Sequence, residues 1–300
     1  MTGPARSGDV PRLKALWQSA FGDDRAVIDR FFQSLFRPDS TVVCRDGDDA
    51  VAMAHWLPMT VCHDGKGWPV AYVYAVATDE AHRGRGYCRD MLEYFARTLP
   101  EQGVRGLVLV PGSGSLRQLY RRYGFSDYTA VSLQTLDAGA AAGTWEAIEP
   151  PEYLMLREEL LDQRAYVSCS VPILSFQRDL AAHYGGGLYR LESNGVTGVG
   201  CGAVDGDGEG VVYELLWPGD RQAGADLMAA ALGVSRLLVR TPGEGTPFAM
   251  ARWLTEMPPS LPPIWGWHWT KVPSIPCAKQ RILHGLLFFH IILEYNTGDI

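Results

Sequence analysis

The sequence predicts an α/β protein of the α+β kind, in which helices flank a mixed central sheet, and it predicts this twice, as two tandem units. Three observations carry the prediction. Over residues 1–136 the periodicities run helices, strand meander, basic glycine loop, helix, strand, helix, strand. "RGLVLV" at 105–110 is nearly all apolar, as expected of a central strand covered on both faces. After the small-residue linker "DAGAAAGT" at 137–144 a similar order of elements recurs, a weak repeat of about 130 residues visible in element order rather than in residue identity.

The elements follow in turn. Asp9 and Pro11 read as the cap and first turn of a helix carrying Leu13, Leu16, Trp17 and Ala20 at helical spacing. A second helix over about 25–36 puts Val27, Ile28, Phe31, Phe32 and Leu35 on one side and stops before Pro38. "TVVC" at 41–44, the turn "DGDD" and "AVAMAHWLP" at 50–58 make a strand, a turn and a strand, and "HDGKG" leads into the long strand "PVAYVYAVAT" at 69–78. A helix over about 86–99 has Cys88, Met91, Leu92, Phe95 and Leu99 on one face. A helix around 116–123 ends at Gly124, a natural left-handed cap, and "FSDYTAVSLQTL" returns as a strand. In the second half, helices near 151–161 and 172–184 precede the strands "LYRLE", "GVGCGAV" and "VVYELLW". A helix "AGADLMAAAL", a strand "RLLVR" and a short helix "FAMARWL" follow. Residues 256–300 differ in character and read as a tail that packs on the domains.

Composition narrows the function classes. A formal net charge of -7 argues against nonspecific nucleic-acid binding, which needs a basic surface, and suits a cationic partner better. The six cysteines show no CxxC pair, so neither a metal site nor a disulfide framework is expected. The N-terminus has no apolar signal core, and "ILHGLLFFHIIL" at 282–293 is too short to cross a bilayer, so a cytoplasmic protein with no membrane partner is expected.

The chemistry concentrates at "HRGRGYCRDM", residues 82–91. Glycines let backbone approach a ligand closely, the first helical N–H groups are unpaired, and the helix dipole adds about half a positive charge. With Arg83, Arg85 and Arg89 alongside, the stretch can bind an anion; taken alone it is equally a basic helix start facing water. Neither G-x-G-x-x-G nor G-K-[ST] is present.

In its setting the stretch resembles the acetyl-CoA loop [Q/R]-x-x-G-x-[G/A] of the GNAT superfamily of N-acetyltransferases, read here as Arg83-Gly84-Arg85-Gly86-Tyr87-Cys88. "LYRRYGF" at 119–125 is similar to the family's L-Y-x-x-x-G-F motif. The resemblance covers about residues 8–136 and implies a GNAT fold with acetyl-CoA as cosubstrate. It implies that Val76, Ala77 and Thr78 on the central strand hold the pantetheine arm, and that Arg83, Gly84, Arg85, Gly86, Tyr87 and Cys88 cradle the pyrophosphate. It implies too that Tyr120 protonates the departing thiolate. Cys88 stands where the family carries Gly or Ala, with a reactive thiol as its other reading, and "GSGS" at 112–115 replaces the usual asparagine.

The base is not written plainly. The strand glutamate of many GNAT enzymes is missing from "YVYAVAT"; His55 is a candidate with a structural reading beside it, and Asp79 and Glu80 read as turn caps. The two-domain arrangement is also similar to the enhanced-intracellular-survival type of acetyltransferase, whose terminal carboxylate reaches the active site; by that resemblance Ile300 would take the role. In the second half "PGDRQAGADLM" keeps Arg221 and Gly224 but loses the second glycine, and Asp226 would repel a pyrophosphate. The domains expected are therefore 1–136 catalytic, 145–255 degenerate and 256–300 a tail, in which Trp265, Trp267 and Trp269 share one strand face.

The activity expected is direct acetyl transfer to a primary amine of a small molecule or peptide, with a homo-oligomer as a possible assembly. A non-catalytic acyl-CoA-binding or sensing module and some other nucleotide-binding protein are the competing readings.

Overall fold

The computed structural model describes residues 1–162, 164–242 and 245–255. The first part of the chain runs β1 (Thr2–Pro4), α1 (Val10–Phe21), α2 (Arg25–Ser34), β2 (Thr41–Asp46), β3 (Asp49–His63), β4 (Lys66–Thr78), α3 (Tyr87–Thr98), β5 (Gly106–Leu109), α4 (Gly114–Arg122), β6 (Ser126–Asp127) and β7 (Ala130–Asp137). The second runs β8 (Thr144–Ala147), α5 (Pro150–Leu161), β9 (Tyr166–Cys169), α6 (Val171–His183), β10 (Gly187–Ser193), β11 (Val196–Val204), β12 (Gly210–Leu216), α7 (Arg221–Leu232), β13 (Arg236–Pro242), β14 (Thr246–Pro247) and β15 (Met250–Trp253).

Two sheets result, and their orders match. The first is β1-β2-β3-β4-β5-β15-β6, with β9 paired to β3; the second, read from its far edge, is β8-β10-β11-β12-β13-β7-β14. Each contains one parallel pair, β4 with β5 and β12 with β13, and all other pairs are antiparallel. The repeat in element order is thus a repeat in sheet topology.

The sheets exchange strands. β15, from the end of the described chain, runs antiparallel to β5 (Met250↔Leu109, Trp253↔Gly106). In the other direction β7 runs antiparallel to β13 in the second sheet (Arg236↔Asp137, Pro242↔Val131). The boundary expected at residue 136 therefore falls inside β7. "FAMARWL", expected as a helix, is corrected to strand: Met250 and Ala251 are buried between β5 and β6, and sheet pairing outweighs the helix propensity of Ala, Met and Arg. Gly106 makes room for this strand, because a Cβ there would meet the Trp253 ring at 3.0 Å. "FSDYTAVSLQTL", expected as one strand, divides between β6 in the first sheet and β7 in the second. The strand β9 had no sequence signal; it adds to the far half of β3, Met59↔Cys169 to Cys62↔Tyr166.

Helices α1 and α2 cover one face of the first sheet, and α5 and α6 cover one face of the second; these faces share a single core, in which Phe31 and Phe176 meet at 5.8 Å. Helix α3 covers the opposite face of the first sheet with Met91, Leu92 and Phe95, and α7 that of the second with Leu227 and Met228. Asp9 does not cap α1 with its side chain, as expected from sequence; its carboxylate pairs instead with Arg45 at 2.5 Å and accepts from the Arg6 amide at 2.6 Å. Among the described residues no helix is long and apolar enough to cross a membrane.

Candidate active site

The site begins where β4 and β5 part. Their parallel pairing covers Val70↔Gly106, Ala71↔Leu107 and Tyr72↔Val108; β5 then ends at Leu109 while β4 continues to Thr78. On the β3 side, Met53 pairs with Ala77 and His55 with Tyr74, so Ala75 and Val76 together face Ala54. This is a β-bulge, and Ala75 adopts φ +47° to make it, a conformation that costs a residue with a Cβ roughly 1–2 kcal/mol. A bulge bends its strand and strengthens its twist. The result is a fork whose β4 edge carries the backbone of Val76, Ala77 and Thr78.

The loop that follows is pinned at its start. Asp79 accepts the Ala81 amide at 3.1 Å and pairs with Arg12 at 2.7 Å and with His82 at 3.1 Å, and these partners hold its carboxyl down at about 2. Gly84 and Gly86 then take φ +75° and +84°, and Gly86 is the cap residue of α3. A residue with a side chain would be strained at either position. The cap supplies no side-chain acceptor, so the first-turn amides from Tyr87 onward have no intrahelical partner and face outward. Arg83, Arg85 and Arg89 ring this cradle beside acidic neighbours: Glu80 at 3.9 Å, Asp46 at 3.7 Å and Asp90 at 3.0 Å. Such surface pairs are weak enough for an anion to displace.

Behind the cradle lies Tyr120. Ser113, from "GSGS", caps α4 by accepting the Leu116 amide at 3.2 Å, and Gly124 ends the turn at φ +83°. Tyr120 is buried against Phe125, rings 5.7 Å apart, in the core that also packs Cys88 and Tyr123. Burial raises the Tyr120 phenol well above its ordinary value, with the neighbouring Cys88 and Tyr123 adding to it. It pushes the Cys88 thiol up to about 12. Desolvation thus opposes the reactive-thiol reading of Cys88, since it favours the protonated thiol.

Residues 3–127 match the family described as Acetyltransferase (GNAT) domain. This stretch, somewhat under half of the chain, is similar to a GNAT acetyltransferase domain. Among solved structures, a GCN5-related N-acetyltransferase from Anabaena variabilis is 14% identical over 85% of this chain and 73% of its own, with a TM-score of 0.67. A protein from Enterococcus faecalis described as a probable N-acyltransferase is 16% identical over 85% and 72%, with a TM-score of 0.67. Eis1 from Mycobacterium abscessus is 12% identical over 85% and 74%, with a TM-score of 0.60. At these identities the likeness is one of fold, and because it spans both halves it includes the tandem arrangement. No curated protein matches the chain.

Within residues 3–127 the sequence-derived base candidates are occupied elsewhere. His55 is buried, its Nδ1 2.7 Å from the Thr41 hydroxyl, among Trp17, Phe31, Phe32 and Tyr74. Burial holds its pKa down at about 3, so it is a neutral core residue. Asp79 is bound by Arg12 and His82, as given above. The carboxylate that sequence reasoning missed is Asp23, in the turn between α1 and α2. It is 7% exposed, one oxygen accepts the Trp17 indole N–H at 2.7 Å, and the other has no partner. Nothing in its local sequence sets it apart from Asp24 beside it.

The second sheet has the same fork without the cradle. β12 and β13 pair at Gly210↔Leu237, Val211↔Leu238 and Val212↔Val239 and then separate. The cap of α7 is Asp220, whose carboxylate accepts the Ala223 amide at 3.3 Å. Trp217 packs onto Gly224, where a Cβ would lie 2.7 Å from its Cγ. Asp226, expected to face a pyrophosphate, instead accepts the Gly139 amide at 2.8 Å and the Gln222 amide group at 2.8 Å, and so ties down the linker. Among the described residues no helix follows β13 as α4 follows β5, and no group of three acidic, histidine or cysteine side chains could hold a metal ion. Trp265, Trp267, Trp269 and Ile300 lie outside the described residues.

Proposed function

We propose that the protein is an acetyl-CoA-dependent N-acetyltransferase that moves the acetyl group directly to a primary amine of a small molecule or peptide. The observation that carries this reading is the conjunction of an open β4–β5 fork, a glycine cradle at the start of α3 and a buried phenol at Tyr120. The fit to acetyl-CoA is good on its own terms. Val76, Ala77 and Thr78 offer backbone amides and carbonyls to a pantetheine arm. Arg83, Gly84, Arg85, Gly86, Tyr87 and Cys88 offer amides and cations to a pyrophosphate. The cosubstrate would supply an acetyl thioester at the mouth of the fork.

Tyr120 is the proton donor in this reading. Its raised pKa keeps it protonated throughout the neutral range. Desolvation of the kind that raises the Cys88 thiol would also raise the basicity of a thiolate formed beside it, which favours its protonation. Residues 1–136 and 145–255 serve as the active and the degenerate unit, and the second unit shapes the acceptor side of the fork. The acidic closure at Asp220 and the absence of an α4 counterpart among the described residues support that assignment.

Release of CoA thiol, followed with a panel of primary amines, tests the reading. Turnover that falls in Tyr120→Phe while acetyl-CoA affinity holds supports it. Tight acetyl-CoA binding without turnover on any amine, unchanged in Tyr120→Phe, favours the non-catalytic acyl-CoA sensor, for which the strand "YVYAVAT" without a carboxylate speaks. Thermal protection by ATP or NAD rather than CoA would sink both.

A further inference from the structure

Asp23 is a buried carboxylate that the fold leaves half-satisfied. The indole of Trp17 holds Oδ2 at 2.7 Å, while Oδ1 is buried without a hydrogen-bond partner. Aromatic rings stand around it: Trp17 meets Tyr74 at 5.3 Å and Phe31 meets Tyr74 at 5.0 Å. The carboxylate's charge acts on Tyr74 from β4 and on Tyr184 at the end of α6. Tyr74 directly precedes the Ala75–Val76 bulge, so Asp23 stands beside the point where β4 and β5 part, on the face shared by the two halves. Exposed Gly22 and Asp24 flank it, so the turn lies at the surface and the carboxylate one side chain beneath it.

A carboxylate taken out of water with one oxygen empty is costly unless a cation completes it. Desolvation raises its pKa to about 7, against the smaller opposing effect of the indole hydrogen bond. A metal ion is a poor candidate, since among the described residues no group of three histidine, cysteine or acidic side chains could hold one. An ammonium suits the site, because it donates to Oδ1 and is favoured by ring faces.

We infer that Asp23 receives the ammonium group of the acceptor and takes its proton. The inference rests on the acetyltransferase reading above and names the acceptor's chemistry, an amine bound as its cation. The ammonium gives one proton to Oδ1, leaving a neutral amine and a carboxylic acid. The amine nitrogen then bonds to the thioester carbonyl carbon, the carbon–sulfur bond breaks, and the thiolate takes the Tyr120 proton. The remaining excess N–H proton restores the phenol through solvent, and Asp23 returns its proton to water after the amide leaves.

The other titratable groups that face this position are Tyr184, Tyr74, His183 and the adjacent Asp24. Tyr184 is pushed up to about 12 by burial, and burial raises Tyr74 well above its usual range. His183, whose Nε2 lies 3.5 Å from Asp24, is controlled for by substitution.

The test uses the full chain and n-butylammonium chloride as probe, without acetyl-CoA, so that it does not depend on turnover. Binding is followed by calorimetry and thermal shift at pH 6 and pH 8. With a carboxyl near 7, wild type should bind about tenfold more tightly at pH 8 than at pH 6. Asp23→Asn should bind at least about tenfold more weakly than wild type at pH 8, with no pH dependence, and His183→Gln should follow wild type. Asp23→Asn should also lose kcat/KM for amines while keeping its acetyl-CoA affinity. If wild type fails to bind the probe, or if Asp23→Asn keeps both probe affinity and amine kcat/KM within about twofold, the inference is overturned. Probe binding through Asp23 with no CoA release on any amine would leave the ammonium site standing and overturn the acetyltransferase reading instead.

Discussion

Arg157 and Glu214 meet where neither touches water: the guanidinium Nε lies 3.1 and 3.0 Å from the two carboxylate oxygens, and both side chains are fully buried. Tyr153 donates its hydroxyl proton to the same carboxylate at 2.9 Å, and Arg157 also donates to the Val167 carbonyl at 3.0 Å. One arginine on α5 thereby holds both β12 of the second sheet and β9, the strand that the second half adds to the first sheet. Removing one partner leaves an uncompensated buried charge, which costs about 3–5 kcal/mol. Glu214→Gln and Arg157→Met should each lower the urea midpoint accordingly. Because β9 joins the halves, both sheets should lose stability together, in a single transition.

The acid limb of stability should carry the signature of His55. Its pKa is about 3 in the folded protein against an ordinary 6.5, so the unfolded chain binds the extra proton between these values. The contribution is complete above pH 6.5 and is lost as pH falls toward 3, at roughly 1.4 kcal/mol per unit. Replacing His55 with Gln should flatten this part of the unfolding curve measured between pH 4 and 7.

Asp23 acts in the opposite direction. Its folded pKa of about 7 exceeds the ordinary 3.8, so the folded state holds the proton longer and stability declines as pH rises from 3.8 to 7. Asp23→Asn should therefore raise the melting temperature at pH 8 and leave it nearly unchanged at pH 4. A substitution that stabilises the fold while abolishing amine turnover is the pattern of a residue kept for function.

Tyr120→Phe keeps the ring and removes the proton. We expect kcat for amine acetylation to fall by about 100-fold, within the span of general acid effects, with acetyl-CoA affinity held within about twofold. Stopped-flow measurement of CoA release separates the two parameters.

The cradle should fail through backbone geometry. Gly86→Val places a β-branched residue at φ +84°, where such residues are genuine outliers. We expect acetyl-CoA affinity to drop by at least about tenfold while Gly195→Val, at φ +77° in the β10–β11 turn of the second sheet, changes stability and leaves affinity alone. Calorimetric titration of both variants makes the comparison.

Much of the first half was legible because its signals are local. "HRGRGYCRDM" declares its own left-handed glycines and its own helix, and "LYRRYGF" its own turn, within a few residues of chain. The placement of Tyr120 behind the cradle follows from the order strand, loop, helix, strand, helix. The exchange of β7 and β15 was not legible. "FAMARWL" has a helix-forming composition, and the slot that makes it a strand belongs to Leu109 and Asp127, far away in the chain. Asp23 escaped for the same reason. Its environment is made by Trp17 from its own helix, but also by Tyr74 and Tyr184, which only the folded chain brings to it.

The sequence by itself thus determined the fold class, the doubled architecture and the glycine loop that opens α3, since periodicity and glycine placement act over one or two turns of backbone. Tertiary structure alone decided which half each strand serves, and which carboxylate is stripped of water beside the fork. Burial and strand partnership depend on residues that are neighbours in space rather than along the chain.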